Sequence, residues 1–174
     1  MRVTVVVPTY NEAPNVAELV RRVAAATPSL DLEILFVDDS TDDTPRVIEQ
    51  VAETAPIPVR MLHREDSVGG LSGAVVAGLQ AAHADVCIVM DGDLQHPPED
   101  IVNLVARHAR GDVDVVVASR YTENGENGGL SNALRVFVSQ ASTNLTKALF
   151  PKKLKNVTDP MTGFFLVDRD TVDL

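Results

Sequence analysis

The sequence predicts an α/β domain, a mostly parallel sheet with helices on both faces, and three observations carry that prediction. Apolar β-branched runs alternate with segments of helical periodicity, at spacings that suit strand–helix–strand crossovers. The composition is rich in Val and Ala with few aromatics, which suits buried parallel strands. Acidic and other functional residues recur at the ends of four of these runs, which is where such sheets gather ligands.

Strands are expected at 3–7, 32–37, 57–62, 85–90 and 113–118, with a later one near 163–167. Between the first two, Val16, Leu19, Val20 and Val23 recur at helical spacing. A second helix spans Thr44 to Ala55, with Val47, Ile48 and Val51 inward and Thr41 or Asp42 as its N-cap. A third runs from about Gly70 to Ala82. A fourth follows Pro97-Pro98, prolines that fit a first turn whose N–H groups have no helical partner, and turns Ile101, Leu104 and Val105 inward. A later helix from about Ser131 to Phe150 carries an apolar stripe of Leu134, Val138, Ala141, Leu145 and Ala148, suited to a core, a partner seam or a membrane face. Residues 121–129 have the Gly and Asn content of a loop.

The 174 residues fit one domain. The single cysteine, Cys87, lies inside an apolar run and reads as a core residue; it excludes a disulfide framework and points to a reducing compartment. The N-terminus passes directly into a strand, so no signal peptide is expected. No apolar stretch approaches the roughly 20 residues needed to cross a bilayer. A net charge of −10 argues against nucleic acid as a partner. The charge is unevenly placed: residues 119–156 hold six cations against two anions, a net of +4, so the rest carries −14. That segment is either a solvated basic helix end or a surface for phosphate or anionic lipid.

The chemistry-bearing residues sit on one expected rim. Asp91 and Asp93 flank a glycine after a buried strand, and two carboxylates about 6 Å apart repel by roughly 2–3 kcal/mol at an effective dielectric near 20. A divalent cation reverses that sign, and oxygen ligands suit Mg²⁺ or Mn²⁺. Gln95 offers a neutral oxygen nearby; the alternative is a turn in which Asp93 caps the next helix. Asp38 and Asp39 form a second acidic strand end, fit to accept from a base N–H or ribose hydroxyls. Gly69-Gly70-Leu71-Ser72-Gly73-Ala74 opens a helix with small residues, for close packing or for a phosphate at its N-terminus. It lacks the Gly-Lys-Ser/Thr of a P-loop and the strand-one position of a dinucleotide fingerprint, which makes a dehydrogenase the weakest reading. Arg120 follows strand five and Arg135 opens the later helix, and guanidinium forks bind phosphate or serve in surface ion pairs. His63, His83, His96 and His108 have no metal-ligand spacing and are read as surface or packing residues.

Val5-Val6-Val7-Pro8-Thr9-Tyr10-Asn11-Glu12, Val37-Asp38-Asp39-Ser40 and Met90-Asp91-Gly92-Asp93-Leu94-Gln95-His96-Pro97-Pro98 together resemble the dolichol- or polyprenyl-phosphate mannose synthase branch of the family-2 glycosyltransferases. The resemblance continues through Ala118-Ser119-Arg120-Tyr121 and Thr158-Asp159-Pro160-Met161-Thr162-Gly163-Phe164-Phe165, nearly the whole chain. It implies a GT-A (Rossmann-like) fold and inverting transfer of mannose from GDP-mannose to a polyprenyl phosphate. By position, Pro8, Tyr10, Glu12, Asp38 and Asp39 would line the nucleotide pocket, and Asp91, Asp93 and Gln95 would hold Mg²⁺ or Mn²⁺. Arg120 and Arg135 would meet the acceptor phosphate, and Asp159 would touch the sugar or act as a base. The resemblance also implies a peripheral place at the cytoplasmic face of a membrane, 119–156 being the basic acceptor side.

The chain departs from the family pattern in three places. Phe165 stands where an Arg usually follows the aromatic, and Ser67-Val68 where a basic residue commonly precedes the glycine turn. Family members also continue for several dozen residues beyond the equivalent of Leu174, so the chain is expected to be C-terminally truncated. Two alternatives remain: a family-2 enzyme using a UDP-sugar, such as a polyprenyl-phosphate glucosyltransferase or a saccharide transferase, and a domain that binds nucleotide sugar without transferring it.

Overall fold

A computed structural model of the chain describes residues 1–119 and 162–171. In order these form β1 (Arg2–Thr9), α1 (Ala13–Ala26), β2 (Asp31–Asp38), α2 (Thr44–Thr54), β3 (Val59–His63), α3 (Gly70–Ala81), β4 (Val86–Val89), a 3-10 turn (Pro98–Asp100), α4 (Ile101–His108), β5 (Val115–Val117), β6 (Phe165–Asp168) and a second 3-10 turn (Arg169–Thr171). The chain divides into two compact units, residues 1–116 with 164–174, and residues 117–163. The first carries the sheet and everything described below. The helix expected over 131–150 and the loop over 121–129 lie outside the described residues.

The sheet order is β3-β2-β1-β4-β6-β5. β1 pairs parallel with both β2 and β4, and β2 parallel with β3. β6 runs antiparallel to β4, Val86 opposite Asp168 and Val89 opposite Phe165. The chain lays β2 and β3 on one side of β1 and β4 on the other, so the parallel order reverses between β1 and β4. A crevice at the carboxyl ends follows from that reversal, because the loops leaving the two strands diverge.

Burial on both faces explains why the central strands are mostly apolar, the buried mid-strand exceptions Thr4 and Glu33 being bonded to each other at 2.9 Å. Val6, Leu35, Val37, Cys87, Val89 and Val167 form a buried cluster with Ala74, Leu79 and Ala82 of the α3 region. The alternate residues Val5, Val7, Ile34, Phe36 and Ile88 are fully buried too, so both faces are covered. Gly78 sets the approach of α3 to the sheet: a Cβ there would run into Val6 Cγ1 and lie 2.9 Å from Val37 Cγ2. Cys87 is a core residue, and burial pushes its thiol up to about 11.

Local chemistry moved some boundaries. β3 begins at Val59, two residues later than expected, because Pro58 has no N–H for the ladder and contributes only its carbonyl, which accepts from Ile34 N at 2.9 Å. α2 is capped differently from expectation. Its N-cap position is Asp43, and Asp42 Oδ1 instead accepts from the Thr44 backbone N–H (2.9 Å) and hydroxyl (2.6 Å).

Candidate active site

The loops leaving β1, β2, β3 and β4 enclose a cleft of about 390 Å³. Pro8, Thr9, Tyr10 and Glu12 come from the end of β1 and the turn after it, and Asp39 from the end of β2. Ser67, Gly70, Leu71 and Ala74 come from the entry to α3, and Asp91, Gly92 and Asp93 from the end of β4. Six residues singled out in the sequence therefore share one wall: Pro8, Tyr10, Glu12, Asp39, Asp91 and Asp93. Four of them are carboxylates drawn from three separate strand ends.

The backbone around the cleft is strained. The described non-glycine residues with positive φ are Asn11 (58°), Ser67 (41°) and Leu94 (63°), one in each of three loops that contribute to it. Such angles persist only where surrounding contacts fix them, and they concentrate where a chain is shaped around a ligand. At Asn11 the contacts are visible: its N–H donates to Ser40 Oγ at 2.8 Å, and its Oδ1 accepts from Thr41 N at 3.1 Å.

Asp38 and Asp39 have opposite surroundings. Asp38 is fully buried and absent from the cleft wall, in contrast to its expected nucleotide contact. Its Oδ1 accepts from Thr9 Oγ1 (2.8 Å) and Ser40 Oγ (2.6 Å), and its Oδ2 faces His63 Nδ1 at 2.8 Å. These bonds tie the ends of β1, β2 and β3 together through one carboxylate. Asp39 does line the cleft, gripped by Arg64: Nε donates to Oδ1 at 2.7 Å and Nη2 to Oδ2. The same guanidinium donates to the Val68 and Gly70 carbonyls at 3.1 Å, tying Asp39 to the glycine turn that opens α3.

Arg64 was not singled out in the sequence. It brings a cation to the glycine turn from the end of β3. Its signal was present in the strand-end position after His63, but the charged run His63-Arg64-Glu65-Asp66 resembles any solvated turn. His63 was likewise read as surface or packing and proves to be a specific partner of Asp38.

The Asp91–Asp93 loop is fixed from below. His96 stacks on Phe164 with ring centroids 5.3 Å apart, and its Nδ1 faces the Asp91 backbone N–H at 3.4 Å. Asp91 Oδ2 lies 3.7 Å from the same nitrogen. Asp93 Oδ1 accepts from the Gln95 backbone N–H at 3.0 Å. Gln95 thus braces Asp93 by its main chain, while its side chain is exposed and off the cleft wall.

Among the described residues no group of three His, Cys, Asp or Glu side chains is placed to hold a metal ion by itself. Asp91 and Asp93 both line the cleft, and two carboxylates are a donor set that could hold Mg²⁺ or Mn²⁺ with phosphate oxygens and water in the remaining positions. Arg120, Arg135 and Asp159 lie outside the described residues. Phe165, in the place of the expected Arg, packs against the α3-side core.

The comparisons with known proteins agree with this architecture. A dolichol-phosphate mannosyltransferase of Pyrococcus furiosus is 37% identical over 99% of this chain and 48% of its own length. An undecaprenyl-phosphate 4-deoxy-4-formamido-L-arabinose transferase of Pseudomonas savastanoi is 41% identical over 66% of this chain and 34% of its own. This chain thus spans about half, or less, of the curated relatives it matches. Among solved structures, a glucosyl-3-phosphoglycerate synthase from Mycobacterium tuberculosis in complex with UDP superposes with a TM-score of 0.71 over 97% of this chain and 57% of that one, at 21% identity. A mannosyltransferase from Pyrobaculum calidifontis in complex with GDP-Man and Mn²⁺ gives 0.60 over 68% of this chain and 35% of that one, at 32% identity. The six-stranded mixed sheet is the GT-A-like fold that the sequence led us to expect. The glycosyl transferase family 2 model matches residues 4–173, and the chain belongs to that family.

Proposed function

We propose that this chain is the donor-binding part of an enzyme that transfers mannose from GDP-mannose to a polyprenyl phosphate, with inversion at the anomeric carbon. The observation that carries the reading is the convergence of Glu12, Asp39, Asp91 and Asp93 on one cleft with the opening turn of α3. The likeness to a dolichol-phosphate mannosyltransferase over nearly the whole chain supports the choice of reaction.

In this reading Asp39, held flat by Arg64, accepts from the donor's base or ribose, and Tyr10 and Pro8 give the nucleoside an apolar wall. Asp91 and Asp93 hold Mg²⁺ or Mn²⁺, which offsets the negative charge of the diphosphate leaving group. An oxygen of the acceptor phosphate attacks the anomeric carbon as the bond to the diphosphate breaks, releasing GDP. That oxygen is already anionic at neutral pH, so the site must position it more than deprotonate it. Among residues outside the described set, Arg120 and Arg135 are assigned to the acceptor phosphate, and Asp159 to the sugar or to a reserve base. Among the described residues no helix is long and apolar enough to cross a membrane. We place the protein peripherally at the cytoplasmic face of the membrane that holds its lipid, with residues 119–156 as the basic acceptor side.

The relatives named as undecaprenyl-phosphate arabinose transferases favour a second reading, in which the acceptor class is kept and the donor sugar differs. Incubation with labelled GDP-mannose and a short polyprenyl phosphate in Mn²⁺ tests the first reading. Transfer of label to the lipid is the expected result. Binding of GDP-mannose without transfer would instead support a binding-only domain.

A further inference from the structure

We propose that His63 is a positioning residue for this cleft, acting through the buried Asp38 carboxylate on the left-handed turn at Asn11. His63 ends β3, in register with Asp38 at the end of β2, and its Nδ1–H donates to Asp38 Oδ2 at 2.8 Å. Asp38 Oδ1 takes the hydroxyl proton of Ser40 at 2.6 Å. A hydroxyl has one proton, so with that proton committed to Asp38 the Ser40 oxygen can only accept toward Asn11, whose N–H lies 2.8 Å away. The polarity of the chain His63 → Asp38 ← Ser40 ← Asn11 is thus fixed at every link.

The last link bears on the site. Asn11 holds a φ of 58°, and its neighbours Tyr10 and Glu12 both line the cleft. Thr9, which also lines it, donates to the same Asp38 oxygen at 2.8 Å. Of the side chains touching the Asp38 carboxylate, Thr9 and Ser40 are neutral, and Thr9 lines the cleft. His63 is the ionisable one, and its side chain is 39% exposed while Asp38 is 0% exposed. Without His63, Asp38 Oδ2 would keep only the Ser40 backbone N–H, at 3.3 Å. A buried carboxylate short of a donor turns toward another, and here that movement disturbs Ser40 and with it the Asn11 turn.

For its effect on binding the inference rests on the cleft being the nucleotide site; for its effect on the turn it does not. The test therefore has two readouts on the full chain: deuterium exchange at the Asn11 amide, and the Kd for GDP in Mn²⁺ by calorimetry. His63→Leu is expected to speed Asn11 exchange about tenfold and to weaken GDP binding about tenfold, the scale of one lost hydrogen bond to a charged group. Exchange in the middle of β1, at Val5, stays unchanged. His63→Asn, whose amide places an N–H where Nδ1 was, restores both to within about threefold of wild type. A purely structural role would raise exchange at Val5 and Asn11 together, and that result overturns the proposal. So does wild-type exchange at Asn11 in His63→Leu, or failure of His63→Asn to rescue. If wild type binds neither GDP nor UDP, the nucleotide reading fails and Asn11 exchange alone decides the relay. Should His63→Leu not fold, His63→Gln, which displaces the donor by one methylene, takes its place in the same comparison.

Discussion

Arg64→Ala is the substitution from which most is expected, because one guanidinium makes four contacts on the cleft wall. It donates to both oxygens of Asp39 and to the carbonyls of Val68 and Gly70. The pair is well removed from water, the Arg64 side chain being 14% exposed and that of Asp39 9%. Removing one partner of a buried pair costs 3–5 kcal/mol, most of it from the charge left behind, whereas an exposed pair is worth under about 1 kcal/mol. Burial here lies close to the first case, so a loss of about 3 kcal/mol is expected. For a chain of this size that lowers Tm by about 6–12 °C. Because the cost comes from the abandoned carboxylate, removing it as well should return part of the loss. In a double-mutant cycle with Asp39→Ala, urea denaturation is expected to give a coupling of about 2 kcal/mol. Additive single effects, or a loss below about 1 kcal/mol for Arg64→Ala, would refute the view that this clamp shapes the cleft.

Three further outcomes follow from the same structure. Asp93→Ala removes a partly exposed carboxylate and is expected to leave stability within about 0.5 kcal/mol while abolishing Mn²⁺-dependent GDP binding, read by denaturation and calorimetry on the same samples. Gly78→Ala forces a methyl group against Val6 and Val37, and denaturation should show a loss of about 1–3 kcal/mol with nucleotide affinity retained in the folded fraction. Cys87 should resist a thiol reagent at pH 8 until the protein is unfolded, since its thiol is buried and raised from 9.0 to about 11. The unfolded chain ionises this thiol first, so its contribution to stability is complete below about pH 9 and is lost as pH rises toward 11; prompt labelling of native protein would contradict the burial.

What the sequence disclosed depended on how far the cause of each feature was from the residue itself. β1, β2 and β4 were legible because burial on both faces leaves runs dominated by Val, Ile and Leu, a local signature. The acidic rim was legible because Asp39, Asp91 and Asp93 all lie within three residues of the end of such a run. The direction of β6 was not, since an apolar run such as Phe165-Leu166-Val167 reads the same in either orientation. The two clamps were hidden for a different reason. Arg64 and His63 find Asp39 and Asp38 across 25 residues of chain, through the pairing of β2 with β3. Nothing in a charged turn announces such a partner. Asp38 and Gln95 stand off the cleft wall for reasons of orientation. Adjacent residues at a strand end point to opposite sides, so Asp39 faces the cleft while Asp38 faces inward. Gln95 braces Asp93 through its backbone, which composition does not reveal.

The account stands on a divalent cation joining Asp91 and Asp93 to a nucleotide diphosphate seated against Asp39. Calorimetric titration of GDP-mannose into the protein, with Mn²⁺ and again with EDTA, tests this most directly. Affinity at least about tenfold higher with Mn²⁺, the scale of one charge-assisted contact, is the result expected. Equal affinity in the two titrations would contradict it.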